Sequence, residues 1–122
     1  MAQQVQHRVN WETCRNAQWC SLNRVGLDHE TISKGGVYVI WHGGNPRGIV
    51  RVGQASVIRE RLTVHRSDQA IQKYANLGLF VTWSPVEASK RDGVERHLAN
   101  VLNPIVGDKF PNVPPISVNL PW

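Results

Sequence analysis

No apolar run in this chain approaches the roughly 18 to 20 residues that a membrane-crossing helix needs, which excludes a helical membrane span. Met1 to Asn10 lacks the apolar core of a secretion signal. Cysteine is scarce: Cys14 and Cys20 are too few for a disulfide framework, and their spacing fits no usual zinc pattern. Both are therefore expected to be reduced, semi-buried thiols of a cytoplasmic protein. Internal repeats and low-complexity tracts are absent. Acidic side chains are few, nine against fourteen Lys and Arg, which leaves +5 at pH 7. That balance favours an anionic partner without choosing among nucleic acid, acidic protein and lipid headgroup.

The composition that remains, 41% hydrophobic and 19% charged over 122 residues, describes one soluble globular domain. A chain of this length buries roughly 60 to 70% of its unfolded surface, enough for a core without staples. The positive charge is localised. Residues 47 to 73 carry Arg47, Arg51, Arg59, Arg61, Arg66 and Lys73 against Glu60 and Asp68, a net of +4. Arginine, which dominates this stretch, suits bidentate phosphate contact, although a merely solvated basic face has the same composition.

Val37 to Trp41 is β-branched and aromatic on both alternating faces, as in a strand covered on both sides. The turn-rich segment His42 to Gly48 precedes a second apolar run, Ile49 to Val52, so residues 36 to 53 read as an antiparallel hairpin. Ser56 is placed to cap a helix from Val57. On that helix Val57, Ile58, Leu62 and Val64 form an apolar arc that also holds Arg61 and His65, while Arg59 and Arg66 fall on the polar side. An inward Arg61 would need an anion, from protein or ligand.

Ser67 would cap a second short helix through Tyr74, ended near Gly78, and Leu79 to Val86 reads as a third strand. Residues 89 to 92 resemble a capping box, followed at helical spacing by Val94, Leu98, Val101 and Leu102. Pro104 closes that helix. Glu95 lies at the margin of its buried stripe, either reaching into a cleft or pairing with a nearby Arg at the rim. Asn10 is a candidate cap for a short helix near the start. Five of the seven prolines fall at or after Pro104, so the last twenty residues should be mostly irregular. His42 and His97 read as surface residues, and Trp41 and Trp83 as core. Trp11, Trp19 and Trp122 are placed to pack the terminal segments.

The order of these features resembles the GIY-YIG nuclease family. Gly36-Val37-Tyr38 matches the first motif, and Arg51-Val52-Gly53 stands where Tyr-Ile-Gly is expected, with Arg51 in place of the tyrosine. Arg61 follows Gly53 by eight residues, His65 comes one helical turn later, and Glu95 sits on the late helix before Asn103-Pro104. Gly107 stands where many members carry Asn. The likeness covers about residues 35 to 107. It implies an α/β (α+β) fold with a small three-stranded antiparallel sheet flanked by helices. Residues 1 to 34 would be an extension packing on this core, and 108 to 122 a proline-rich tail.

The resemblance further implies a metal-dependent endonuclease that hydrolyses DNA phosphodiester bonds with Mg²⁺ or Mn²⁺. Tyr38 would be the general base, Arg61 the phosphate clamp, His65 a phosphate contact or proton relay, and Glu95 the metal ligand. A phenol is a weak base near neutrality, and Arg51 on the neighbouring strand is the expected helper. One carboxylate suits Mg²⁺, which keeps several waters and takes phosphate oxygens. Arg47, Gln54, Arg59, Arg66 and Lys73 are the further candidates for nucleic-acid contact. Tyr38 as a plain core tyrosine, and Arg61 paired with Glu95, are the structural alternatives. Selectivity would come from the terminal segments, a homo-oligomer or a partner protein. Two rival functions stay open: a catalytically degenerate nucleic-acid-binding module of the same fold, and a protein-interaction domain.

Overall fold

The computed structural model describes residues 7 to 107 and 109 to 122; residues 1 to 6 of the expected N-terminal extension and Asp108 lie outside it. Four strands, β1 (Cys20–Ser21), β2 (Gly36–His42), β3 (Gly48–Ala55) and β4 (Leu79–Pro85), form one antiparallel sheet in the order β1-β4-β2-β3. Three helices, α1 (Ile58–His65), α2 (Gln69–Gln72) and α3 (Ala88–Leu102), complete the mixed α/β fold. The sheet has one strand more than expected, because residues 20 and 21 pair with Phe80 and Val81 at the outer side of β4. Two residues carry no periodicity from which a strand can be read.

The alternation of β2 splits the core in two. Tyr38 and Ile40 face one layer with Val50, Val81, Trp83, Ile58, Leu62 and Ile71. Val37, Val39 and Trp41 face the other, with Val52 and the α3 residues Val94 and Leu98. Every residue of β2 is buried, as its continuous apolar run requires. Leu22, Val25 and Ile32 belong to the first layer and Val118 to the second, so segments on both sides of the hairpin-helix unit contribute core.

The terminal segments clasp one another. Val9 N–H donates to Asn119 Oδ1 at 2.7 Å, Asn119 Nδ2 returns a bond to Val9 O at 3.0 Å, and Trp11 Nε1 donates to Asn119 O. Trp19, Trp41 and Trp122 meet in edge and tilted contacts, the packing role expected of the outer tryptophans.

Several local expectations give way. Asn10 starts no helix; a short 3-10 turn at Arg15–Ala17 follows instead. Cys14 and Cys20 are bonded to each other rather than reduced, because the chain doubles back through that turn and brings their Cα atoms within 5.1 Å. Asp68, not Ser67, caps α2 by accepting from Ala70 N–H. Helix α1 starts at Ile58 after Val57, without the side-chain cap expected of Ser56. No helix in the described residues is long and apolar enough to cross a membrane.

Candidate active site

Tyr38 lies directly opposite Gly53 across the β2–β3 ladder. A Cβ at Gly53 would collide with the Tyr38 Oη and Cζ atoms, so the ring rests against bare backbone, a close approach that only glycine permits. The hydroxyl then reaches the last residue of α1, where Tyr38 Oη and His65 Nε2 are 2.6 Å apart. Both residues are buried, at 0% and 3% exposure. His65 is placed by the α1 seam of Ile58, Leu62 and His65, spaced four and then three residues apart.

Burial lowers the His65 pKa to about 4, helped by the positive charges of Arg51 and Arg61 and opposed by Asp68. The imidazole is therefore neutral near pH 7 and carries one proton. Its Nδ1 is buried with no hydrogen-bond partner among the described residues. An unmet acceptor costs less than an unmet N–H, which favours the tautomer with hydrogen on Nε2, donated to Tyr38 Oη.

Arg51 pairs with Ile40 and so lies on the Tyr38 side of the sheet. A bulge here, with Ile40 opposite Arg51 and Trp41 opposite Ile49, lets Val50 join the same layer. The Tyr38 hydroxyl is bonded to His65, and Arg51 Nε is buried without a hydrogen-bond partner among the described residues. The chain after α3 is stitched to β3 by bonds from Ile105 N–H to Ile49 O and Val106 N–H to Val50 O. It then reaches Gly107, whose φ of 100° suits glycine and where a Cβ would lie 3.4 Å from Arg51 Nη1.

Arg61 is exposed, not inward. It stands one turn before His65, at the rim of the α1 seam, where its long side chain keeps the charge in water. Val64, expected in the apolar arc, is 53% exposed. No bridge joins Arg61 to Glu95: among the described residues the ion pair present is Lys90–Glu87.

Glu95 projects from α3 on the other side of edge strand β3 and is buried. Gln54 Nε2 donates to Glu95 Oε1 at 3.1 Å and also to Asp92 Oδ1. Burial raises the Glu95 pKa; the Gln54 bond opposes this, Asp92 reinforces it, and Arg51 and Arg61 oppose it. The same two guanidiniums thus act on His65 and on Glu95, across β3. Asp92, one turn before Glu95 and held by the same amide, was missed from the sequence; its signal was the i, i+3 spacing of two carboxylates.

The remaining basic candidates separate. Arg59 Nε donates to Leu27 O at 2.6 Å, and Arg66 donates from Nε to Leu22 O at 2.8 Å and from Nη2 to Val25 O. Both brace the loop 22–27 against α1, because the carbonyls of that loop need donors, so neither is the free surface charge expected. Arg47 and Lys73 are exposed, over the rings of Trp122 and Tyr74. His42, expected at the surface, is buried, stacked on Tyr74, and accepts from Gly44 N–H. A separate cavity of about 250 Å³ between α3 and the terminal clasp, lined by Arg8, Val86 and Ile116 among others, holds none of the predicted site residues.

Among the described residues no group of three or more His, Cys, Asp or Glu is gathered for a metal. Glu95 and Asp92, both accepting from the Gln54 amide, are oxygen ligands of the kind that a hard cation keeping several waters would take. Comparisons with protein-family models, curated proteins and solved structures find no match.

Proposed function

We propose that the protein is a metal-dependent endonuclease acting on DNA phosphodiester bonds through a GIY-YIG-like site. The observation that carries this reading is the Tyr38–His65 hydrogen bond, together with two guanidiniums whose charges act on both His65 and a buried carboxylate. A buried tyrosine serving only the core needs one partner for its hydroxyl. It does not need two arginines and a buried glutamate nearby, whose desolvation costs stability.

The chemistry follows from these groups. His65, neutral with its proton on Nε2, is aligned to stabilise the oxygen of Tyr38 as that residue takes part in activating water. Arg61, at the solvent side, meets the phosphate and balances the charge that develops on it. Gln54 holds Glu95 in place. Glu95, with Asp92 beside it, would hold Mg²⁺ or Mn²⁺, which when bound supplies charge neutralisation at the phosphate. Arg47 and Lys73 extend the positive surface, so affinity should fall as salt rises.

The partner is nucleic acid, with DNA the first choice, and the location is the cytoplasm, where the Cys14–Cys20 bond would be open to reduction. Selectivity is assigned to the terminal segments, a second copy or a partner protein. The test is nicking of supercoiled plasmid with Mg²⁺, Mn²⁺ or EDTA, beside Glu95→Gln. Metal-dependent nicking that Glu95→Gln abolishes supports the reading. Salt-sensitive binding with no nicking under any metal favours the non-catalytic module.

A further inference from the structure

We propose that Arg51 forms a second phosphate subsite beside the reacting one, and that its ligand is a terminal phosphate monoester of a nucleic-acid strand. This rests on the nuclease reading above. The Arg51 Nε–H is buried and unmet, and His65 Nδ1 is the other buried side-chain polar atom without a partner among the described residues. Both lie on the Tyr38 side of β3. A buried donor with no acceptor is rare and costly in a finished fold, and an oxygen-rich ligand removes that cost.

Charge points to the class of ligand. Arg51 and Arg61 both act on His65, whose neutral ring offsets neither, and no described carboxylate lies within ion-pair distance of either guanidinium. An internal phosphodiester brings one negative charge, which Arg61 already meets. A terminal monoester brings about −1.5 to −2 near pH 7 and three acceptor oxygens. That charge and geometry match a second guanidinium fork. Gly107 itself adds no side chain beside Arg51 Nη1, in a position that the Phe110 ring also borders. A tyrosine at position 51 would supply none of this charge.

The experiment measures binding in EDTA of one short labelled oligonucleotide carrying a 5′-phosphate, a 3′-phosphate, a 5′-methylphosphate or no terminal phosphate. We expect one of the two monoesters to bind roughly tenfold tighter than the unmodified strand, the range of a charge-assisted hydrogen bond. The methyl ester should lose that gain. Arg51→Gln, with its fold checked by circular dichroism, should bring the ratio to one, whereas Arg61→Gln should weaken all four strands. A wild-type ratio near one overturns the proposal without any variant, as does a ratio that survives folded Arg51→Gln. Plasmid nicking with a ratio of one removes the subsite and keeps the nuclease; a tenfold ratio without nicking does the reverse.

Discussion

Tyr38 Oη and His65 Nε2 sit 2.6 Å apart in the protein interior, joined from a central strand and the end of a helix. The contact depends on a third position. Gly53 must lack a side chain for the ring to lie flat enough to reach α1. We expect Gly53→Ala to push the ring aside, cost about 1 to 3 kcal/mol by overpacking, and lower nicking. Urea denaturation and a nicking assay on the same preparation check both effects.

The neutral state of His65 sets a pH dependence. Its folded pKa, about 4, is below the ordinary 6.5, so between these values the unfolded chain binds the extra proton. The contribution of His65 is therefore fully present above pH 6.5 and lost as pH falls towards 4. Its full size is roughly 3 kcal/mol at most. Denaturation from pH 7.5 to 4.5 should show this slope in the wild type and a shallower one in His65→Phe.

Glu95 acts with the opposite sign. Burial raises its pKa, so its ionised form opposes folding at neutral pH, and the penalty is relieved as pH falls. Glu95→Gln removes the charge and keeps an oxygen for Gln54. It should raise Tm by up to a few degrees while abolishing cleavage. A thermal melt beside the nicking assay reads both, and a fall in Tm would contradict this account of its burial.

The arginines of α1 should divide by role. Arg59→Ala and Arg66→Ala each remove charged donors from carbonyls of the loop 22–27, at a cost of about 1 to 3 kcal/mol. DNA affinity of the folded variants should change little. Arg61→Ala should leave stability within about 0.5 kcal/mol, as for an exposed site, and reduce nicking. Denaturation midpoints and anisotropy titrations separate the two classes.

Cys14–Cys20 closes a short loop beside the first core layer. Cys14→Ser should lower stability by about 2 kcal/mol on the loop-entropy estimate. Thiol titration of the unfolded protein should find both cysteines blocked before reduction and free after it.

The hairpin, the third strand and the late helix were legible because Val37 to Trp41, Ile49 to Val52 and Val94 to Leu98 carry strong local patterns of their own. Tyr38 and His65 are buried as their patterns suggested, and Glu95, which spacing places only at the margin of its helix's buried stripe, is buried as well. What escaped the sequence depends on distant contacts. The bulge at Val50 follows from pairing, and the β1 strand from the free side of β4. Arg59 and Arg66 were assigned to the surface because periodicity does not show that the loop at 22–27 returns over them. Arg61 was placed inward because a wheel weighs direction and ignores side-chain length.

The central claim is that the Tyr38 hydroxyl, held by His65, takes part in phosphodiester cleavage. Tyr38→Phe removes that one oxygen and keeps the ring over Gly53. The most direct measurement is the rate of plasmid nicking by Tyr38→Phe and wild type at saturating Mg²⁺, with matched folding verified. The account predicts a loss of roughly 10²-fold or more, the range of a general acid–base contribution; nicking by Tyr38→Phe at the wild-type rate would contradict it.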